Sequence, residues 1–514
     1  MTNPPSLTNP GDAAHPDDPP GQPGSATTPA TTPATTPATT PDAAHSVATG
    51  SVATGSVAAR RALEALRAGV PNRDAVAALG SLQTGVEDRF TELLDAVVAT
   101  AGAGEHAEPA GGMLIGGGFG SGKSHVLEHL AHRALDAGFV VSKVVISKET
   151  ALHDPAKVFR AAIDCAQVPG RPGSAIDEIA AALMTDSAHY ADLYRWVHTD
   201  DAPVDSRFAA ALFLHEYAHG DVELADRLVR FWAGDPLPVA DLRRRLKEAG
   251  AATTYKLSTV KEGDLAVQRF RFVARLIRAA GYHGWIVLLD EVELIGRYSL
   301  LQRAKSYAEV ARWVRGDRDD PGAPIGAVLT TVEDFEAQVL VGKNDVELIP
   351  KRLRSKGTAE HDLLAGRAEI GMRVIEREQL LLQPPDRDEL DRSYAKLKEI
   401  HGVAFGWSPP DVEGLERLPS NRMRQYVRAW INEWDLRRLD PTYVPDTTAA
   451  PVLVDYSEDT DLEAPEGDAD TGAQADETSG QGDETGGQGD ETGGQGDETS
   501  GTTSGLPGGF PPSF

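Results

Sequence analysis

The chain has 514 residues and a formal net charge of −28 at pH 7, with a single cysteine, Cys165. One cysteine excludes an intramolecular disulfide and a cysteine metal cluster, and with no charged-then-apolar signal pattern at the N-terminus it predicts a cytoplasmic protein in a reducing compartment. No apolar run approaches the roughly 18 residues that cross a bilayer, so no membrane partner is expected. Sixteen Asp and Glu and no Lys or Arg fall between positions 455 and 498. More than half of the negative charge thus belongs to a tail that reads either as a competitor for a basic surface or, more plainly, as a solubilising segment, and local basic segments elsewhere remain able to bind phosphate chains.

The first stretch, 1–57, is rich in Pro, Thr and Ala, with the near-repeats TTPATTPATTP and SVATGSVATGSVA. It has too few large apolar residues for a core and is expected to be disordered. Helices are expected over 59–68, 73–79 and 86–99, where Phe90, Leu93, Leu94 and Val97 share one face. Arg89 and Phe90 are candidates to touch a base or ribose, with helix packing the plainer role for Phe90.

Residues 113–124 read MLIGGGFGSGKS. An apolar strand enters a glycine-rich turn and leaves as an amphipathic helix, with the spacing Gly117-x-x-x-x-Gly122-Lys123-Ser124 of a P-loop. In such a loop the glycines let backbone N–H groups converge on phosphate oxygens, and the helix adds its positive N-terminal end. Gly117, Gly118, Phe119, Gly120, Ser121, Gly122, Lys123, Ser124 and His125 are therefore expected to hold ATP. Lys123 would reach the β and γ phosphates and Ser124 would place its hydroxyl on Mg2+.

A strand is expected over 139–146 and a helix from Asp154-Pro155 onward. Cys165 reads as a small buried hydrophobe. Residues 174–281 are helical in pattern and form a long insertion. Their basic residues, Arg243, Arg244, Arg245, Lys247, Arg269, Arg271, Arg275 and Arg278, read either as solvated helix faces or as a nucleic-acid or partner surface. Phe231, Trp232, Phe270 and Phe272 carry the spacing of core residues.

The run Trp285 through Glu291, WIVLLDE, delivers two carboxylates at a strand end. Asp290 is expected to hold Mg2+ through its water shell, and Glu291 to orient or deprotonate the attacking water. Glu293 reads as a helix-start residue. A strand over 325–329 ends in Thr330-Thr331, either of which is a candidate sensor of the γ-phosphate. Pro350-Lys351-Arg352-Leu353-Arg354 reads as a basic segment after a further helix. Arg352, then Arg354, is the candidate arginine that projects into a neighbouring subunit's site, which implies a homo-oligomer. A strand over 375–382 and helices over 388–401 and 421–436 close the folded part, with Arg422 the candidate to reach the nucleotide from a lid.

The fold class expected is α/β: a P-loop NTPase, AAA+-like, with a parallel sheet flanked by helices. Its parts are an ATPase domain over 58–385 with the helical insertion 174–281, a helical lid over 386–445, and a disordered acidic tail over 446–514. The segments ALEALRAGVPNRDAV, GVEDRF, GGGFGSGKSHVLEHLAHRALDAGFVVSKVVISKETALHDPAKVFRA and GWIVLLDEVELI resemble the BrxC/BrxD ATP-binding family of bacteriophage-exclusion (BREX) defence systems, of the BrxD type. The order of elements resembles an AAA+ ATPase of the origin-recognition type. The resemblance covers most of 60–440 and implies an ATPase that works with other defence-system proteins on DNA. Two features depart from it: Thr stands where related ATPases have Asn at the polar-ended strand, and no helix-turn-helix signature follows Asp440. The function expected is an oligomerising, Mg2+-dependent ATPase that remodels or loads partners on DNA, or, as a second reading, a nucleotide-gated adaptor with little turnover.

Overall fold

The structure, a computed structural model, describes residues 43–443 apart from 71, 101–107, 172, 218–219, 259, 261 and 413–422, and gives the backbone alone for 43–54, 262 and 264. Residues 1–42 of the tail expected over 1–57, the whole of the tail expected over 446–514, and Arg422 lie outside the described residues.

Five strands form one parallel sheet: β1 (Gly112–Gly116), β2 (Val140–Val145), β3 (Trp285–Asp290), β4 (Ile325–Thr331) and β5 (Gln379–Leu381), in the order β2-β3-β4-β1-β5. Parallel neighbours need crossover connections, and these put helices on both faces. The strands are therefore near-continuous apolar runs that alternate between two cores. Met113, Ile115, Ile286, Leu288 and Val328 pack with Phe90, Leu93, Leu127 and Leu130 on one side. Leu114, Trp285, Val287, Leu289 and Leu329 pack with Phe159, Phe270 and Val310 on the other. The consequence for function is at the strand ends: β4 lies between β1 and β3, so Thr330 pairs with Ile115 on one side and stands next to Asp290 on the other.

Between β2 and β3 run seven helices among the described residues, from Pro155–Asp164 to Glu262–Ala279. Asp154 caps the first by accepting from Ala156 and Lys157 N–H, with Pro155 at its first position, as the sequence predicts. Phe231, Trp232, Phe270 and Phe272 are all buried, so they are core rather than a base-stacking face. The arginines of this region are largely spent internally. Arg244 pairs with Asp241 at 3.3 Å and Arg245 with Glu248 at 3.2 Å, while Arg243 donates to the Leu257 carbonyl at 3.0 Å. Arg271 is held by Asp317 at 2.7 Å and Arg275 by Asp320. Charge that reads as a row in sequence is thus distributed into pairs in space.

A third cluster joins Leu63 of the helix Ala43–Ala68 to Leu390, Leu397, Trp430 and Trp434 of the helices Arg387–Phe405 and Met423–Leu439. The N-terminal helix shares its core with the last two helices, next to the mouth of the site.

Three expectations are corrected. The strand expected over 375–382 begins instead as the end of the helix Ala359–Arg377, and only Gln379–Leu381 is strand. The apolar spacing Ala365, Ala368, Met372, Ile375 is helical, and all four are buried against the helix Leu300–Arg315 side of the core. Residues 350–354 are not a loop after a helix but the last turns of the helix Asp345–Arg354, with Pro350 inside it. The N-terminal helix begins at Ala43, inside the stretch expected to be disordered to 57; its SVATG repeats carry no proline to stop it.

Candidate functional site

β1 delivers Gly116 to the sheet edge and the chain turns back through residues 117–122 into the helix Lys123–Asp136. Gly122 caps that helix at φ 106°, a left-handed conformation that a side chain at this position would strain. Gly122, Lys123 and Ser124 line the cavity beyond the strand ends, so the helix starts there, at the end where its first N–H groups have no carbonyl partner within the helix.

Lys123 is buried, and its Nζ donates to the Gly117 carbonyl at 2.8 Å. The same ammonium lies 4.0 Å from Glu293 Oε1 and 5.3 Å from the centre of the Phe119 ring. Burial pushes its pKa below the usual lysine range, opposed by the charges of Glu293, Asp290, Glu333 and Glu291 in that order. Ser121 Oγ is enclosed with no hydrogen-bond partner, an orphaned polar atom in the middle of the loop. His125 packs its Nε2 at 2.7 Å from the Gly80 carbonyl, and burial lowers its pKa, so the neutral ring donates through Nε2–H.

β3 brings Asp290 to the same place. Its Oδ1 accepts from Thr330 Oγ1 at 2.5 Å and from the Glu291 N–H at 3.1 Å, which fixes the carboxylate and leaves Oδ2 uncommitted among the described residues. Of the two threonines, Thr330 is therefore the one that touches the site. Glu291 stands at φ 60°, ψ 37°, left-handed for a residue with a side chain, and its side chain is exposed. Partial desolvation, and then the neighbouring Asp290 charge, raise its pKa.

These groups open on a cavity of about 270 Å³. Its floor is Gly118 to Ser124 with Asp290, Glu291 and Glu293, and its far wall is apolar, with Leu66, Val70, Leu79 and Val427. A polar floor with an apolar wall is the shape that takes the phosphates of a nucleotide at one end and its base at the other. The orphaned Ser121 oxygen and the helix N–H groups fit phosphate oxygens. For a magnesium ion, the Ser124 hydroxyl and the Asp290 carboxylate are the hard oxygen donors it takes, and Thr330 already holds the carboxylate in place.

The structure adds to the sequence expectations here and revises one of them. Arg424, two positions past Arg422, lines the cavity; its N–H donates to the Gly120 carbonyl at 3.3 Å and its Nη2 to the Gly69 carbonyl at 3.2 Å. Arg89 is exposed and pairs with Glu92, and Phe90 is core, so neither meets the cavity; the segment Leu79 to Gln83 does. Glu293 stands in the first turn of the short 3-10 helix Val292–Arg297, as expected, and is in addition buried, with its Oε1 4.0 Å from Lys123 Nζ. Arg352 and Arg354 lie outside the cavity. Arg352 is exposed, and Arg354 is held by Glu369 through two bonds of 2.8 Å.

No curated protein and no solved structure matches the chain. The family described as BREX system ATP-binding protein BrxC/D matches residues 56–190 and 197–433, a span that holds the glycine loop, Asp290 and both walls of the cavity. By that match, which takes in most of its length, the chain belongs to the BrxC/D family of BREX system ATP-binding proteins.

Proposed function

We propose that the chain is a Mg2+-dependent ATPase of the AAA+ kind. The observation that carries the reading is the convergence of Lys123, Ser124, Asp290 and Glu291 on one cavity from two segments far apart in sequence. Residues 117–124 cradle the phosphates through backbone N–H groups, and Lys123 neutralises the terminal ones. Magnesium, when bound, would supply further charge neutralisation at the terminal phosphates. Ser124 and Asp290 are its holders, and Thr330 keeps Asp290 oriented by donating to Oδ1. Glu291, exposed at the rim with a raised pKa, orients or deprotonates the attacking water. The base lies against Leu66, Val70 and Leu79, and Arg424 closes the mouth from the last helix.

In this reading the chain forms a homo-oligomer in which Arg352 reaches a neighbour's phosphates. Its exposure supports it over Arg354, whose guanidinium is engaged by Glu369. The load is other BREX proteins, and DNA is reached through them. The pairing of the insertion's arginines with internal carboxylates supports that indirect route.

Steady-state turnover and binding of a labelled nucleotide test the core of the reading. Glu291→Gln should lose about 10²- to 10⁴-fold in turnover and keep its affinity within a few-fold, whereas Lys123→Ala should lose binding. Turnover that survives in Glu291→Gln removes Glu291 from its role. Wild-type protein that retains one ATP per chain without turnover, with or without partners, would instead be a nucleotide-gated adaptor. Mixing Arg352→Ala with Lys123→Ala subunits should restore activity, and no restoration at any ratio rules out a shared site built on Arg352.

A further inference from the structure

Glu293 lies in the cavity without a task in the reaction just described. It is 8% exposed, its Oε1 stands 4.0 Å from Lys123 Nζ, and its Oε2 is enclosed with no hydrogen-bond partner. A carboxylate so poorly satisfied is costly to bury. The cation within 4.0 Å of it is Lys123, the lysine that the nucleotide needs. Lys123 is meanwhile folded onto the Gly117 carbonyl at 2.8 Å, inside the loop whose N–H groups would face phosphate. Asp290 and Glu291 add negative charge on the same side, and Glu333 also faces the lysine. A terminal phosphate arriving at Lys123 meets the carboxylate already there, and two anions cannot share one ammonium at that distance without strong repulsion.

We propose that Glu293 is an internal competitor of the terminal phosphate for Lys123: it holds the lysine in the empty cavity, is displaced when a nucleoside triphosphate docks, and returns when the terminal phosphate leaves. The inference rests on the nucleotide-site reading above and adds a positioning residue to it. Displacement falls on the short turn Val292–Arg297, because that turn is what folds Glu293 inward. A diphosphate, ending one phosphate short, displaces the carboxylate less. The competition therefore weakens triphosphate binding more than diphosphate binding, and it favours release of the cleaved phosphate.

The test is equilibrium binding of a non-hydrolysable ATP analogue and of ADP to the full chain at about pH 8, where the Glu293 carboxyl is ionised, measured by calorimetry without relying on turnover. Glu293→Gln, which keeps the shape and removes the charge, should bind the triphosphate about ten- to a hundredfold tighter and ADP within about threefold. Equal or weaker triphosphate binding by Glu293→Gln overturns the proposal. If wild-type protein binds neither nucleotide, it is the nucleotide-site reading that has failed. In the wild-type chain, hydrogen exchange over residues 291–298 should speed up with the triphosphate analogue and stay unchanged with ADP. Exchange that is unchanged or slowed by the triphosphate overturns displacement of Glu293, whatever the variant does.

Discussion

Glu291 and Asp290 are adjacent in sequence, yet the backbone sends them to different surroundings. Asp290 ends the strand, buried and fixed by Thr330, while Glu291 takes a left-handed conformation at φ 60° and turns to the rim. Such strain is held at sites where orientation is used. Thr330→Val keeps the strand's shape and deletes the donor to Asp290. If Asp290 holds magnesium, the variant should need more of it and lose about 10- to 100-fold in turnover, which a magnesium titration of the ATPase rate would read. Glu293 gives a second residue-scale test. Burial pushes its carboxyl up to about 7 from an ordinary 4.5, so in that interval the native chain holds a proton that the unfolded chain has released. Its stabilising share is complete below about pH 4.5 and is lost as pH rises through about 7. Relative to Glu293→Gln, wild-type stability in denaturant melts should fall by about 3 kcal/mol between those limits. The difference between variants matters because His153, lowered to about 4 by burial, costs stability in the opposite direction as pH falls.

At the scale of elements, the helix that carries Arg352 is anchored by a buried ion pair. Arg303 Nε and Nη2 each donate to Asp345 at 2.8 Å, Tyr307 Oη donates to the same carboxylate at 2.8 Å, and Arg303 Nη1 donates to the Tyr298 carbonyl at 2.6 Å. Tyr298 directly follows the turn that holds Glu293, so the cavity floor and the Arg352 helix are joined through one guanidinium. Asp345→Ala would leave Arg303 buried beside a deleted partner and should cost about 3–5 kcal/mol in denaturant melts. Gly371 lies where the helices Leu300–Arg315 and Ala359–Arg377 touch backbone to backbone. A Cβ there would stand 1.8 Å from the Tyr307 carbonyl oxygen. Gly371→Ala should therefore force the helices apart and lower stability by about 1–3 kcal/mol or more. Neither element boundary nor contact could be read from the chain, because residues 303 and 345, or 307 and 371, are brought together only by the fold.

At the scale of the whole molecule, charge decides less than its total suggests. Of the formal −28, sixteen units lie between positions 455 and 498, and the arginines of the helices between β2 and β3 are largely paired internally. The isolated chain should accordingly bind duplex DNA weakly, and removing residues 455–514 should leave both that weak binding and the thermal midpoint unchanged. Fluorescence anisotropy and a melting curve check this. Tight, salt-sensitive DNA binding by the truncated chain would show that the tail had been masking a basic surface.

The sequence alone was enough for local and periodic information. Glycine spacing marked the loop, apolar runs marked β1 to β4, and Asp154-Pro155 marked a helix start, because each depends on residues near one another in the chain. A carboxylate pair at the end of an apolar run was legible for the same reason. What only the tertiary structure decided was placement: Thr330 rather than Thr331 on Asp290, Arg424 lining the cavity, and Glu293 buried toward Lys123 from the first turn of its helix. Arg271 and Arg275 were given carboxylate partners, Asp317 and Asp320, more than forty positions away, which no local pattern shows. Local pattern fixes which groups a strand end can offer. The order of strands in the sheet, with β4 between β1 and β3, decides which of them meet.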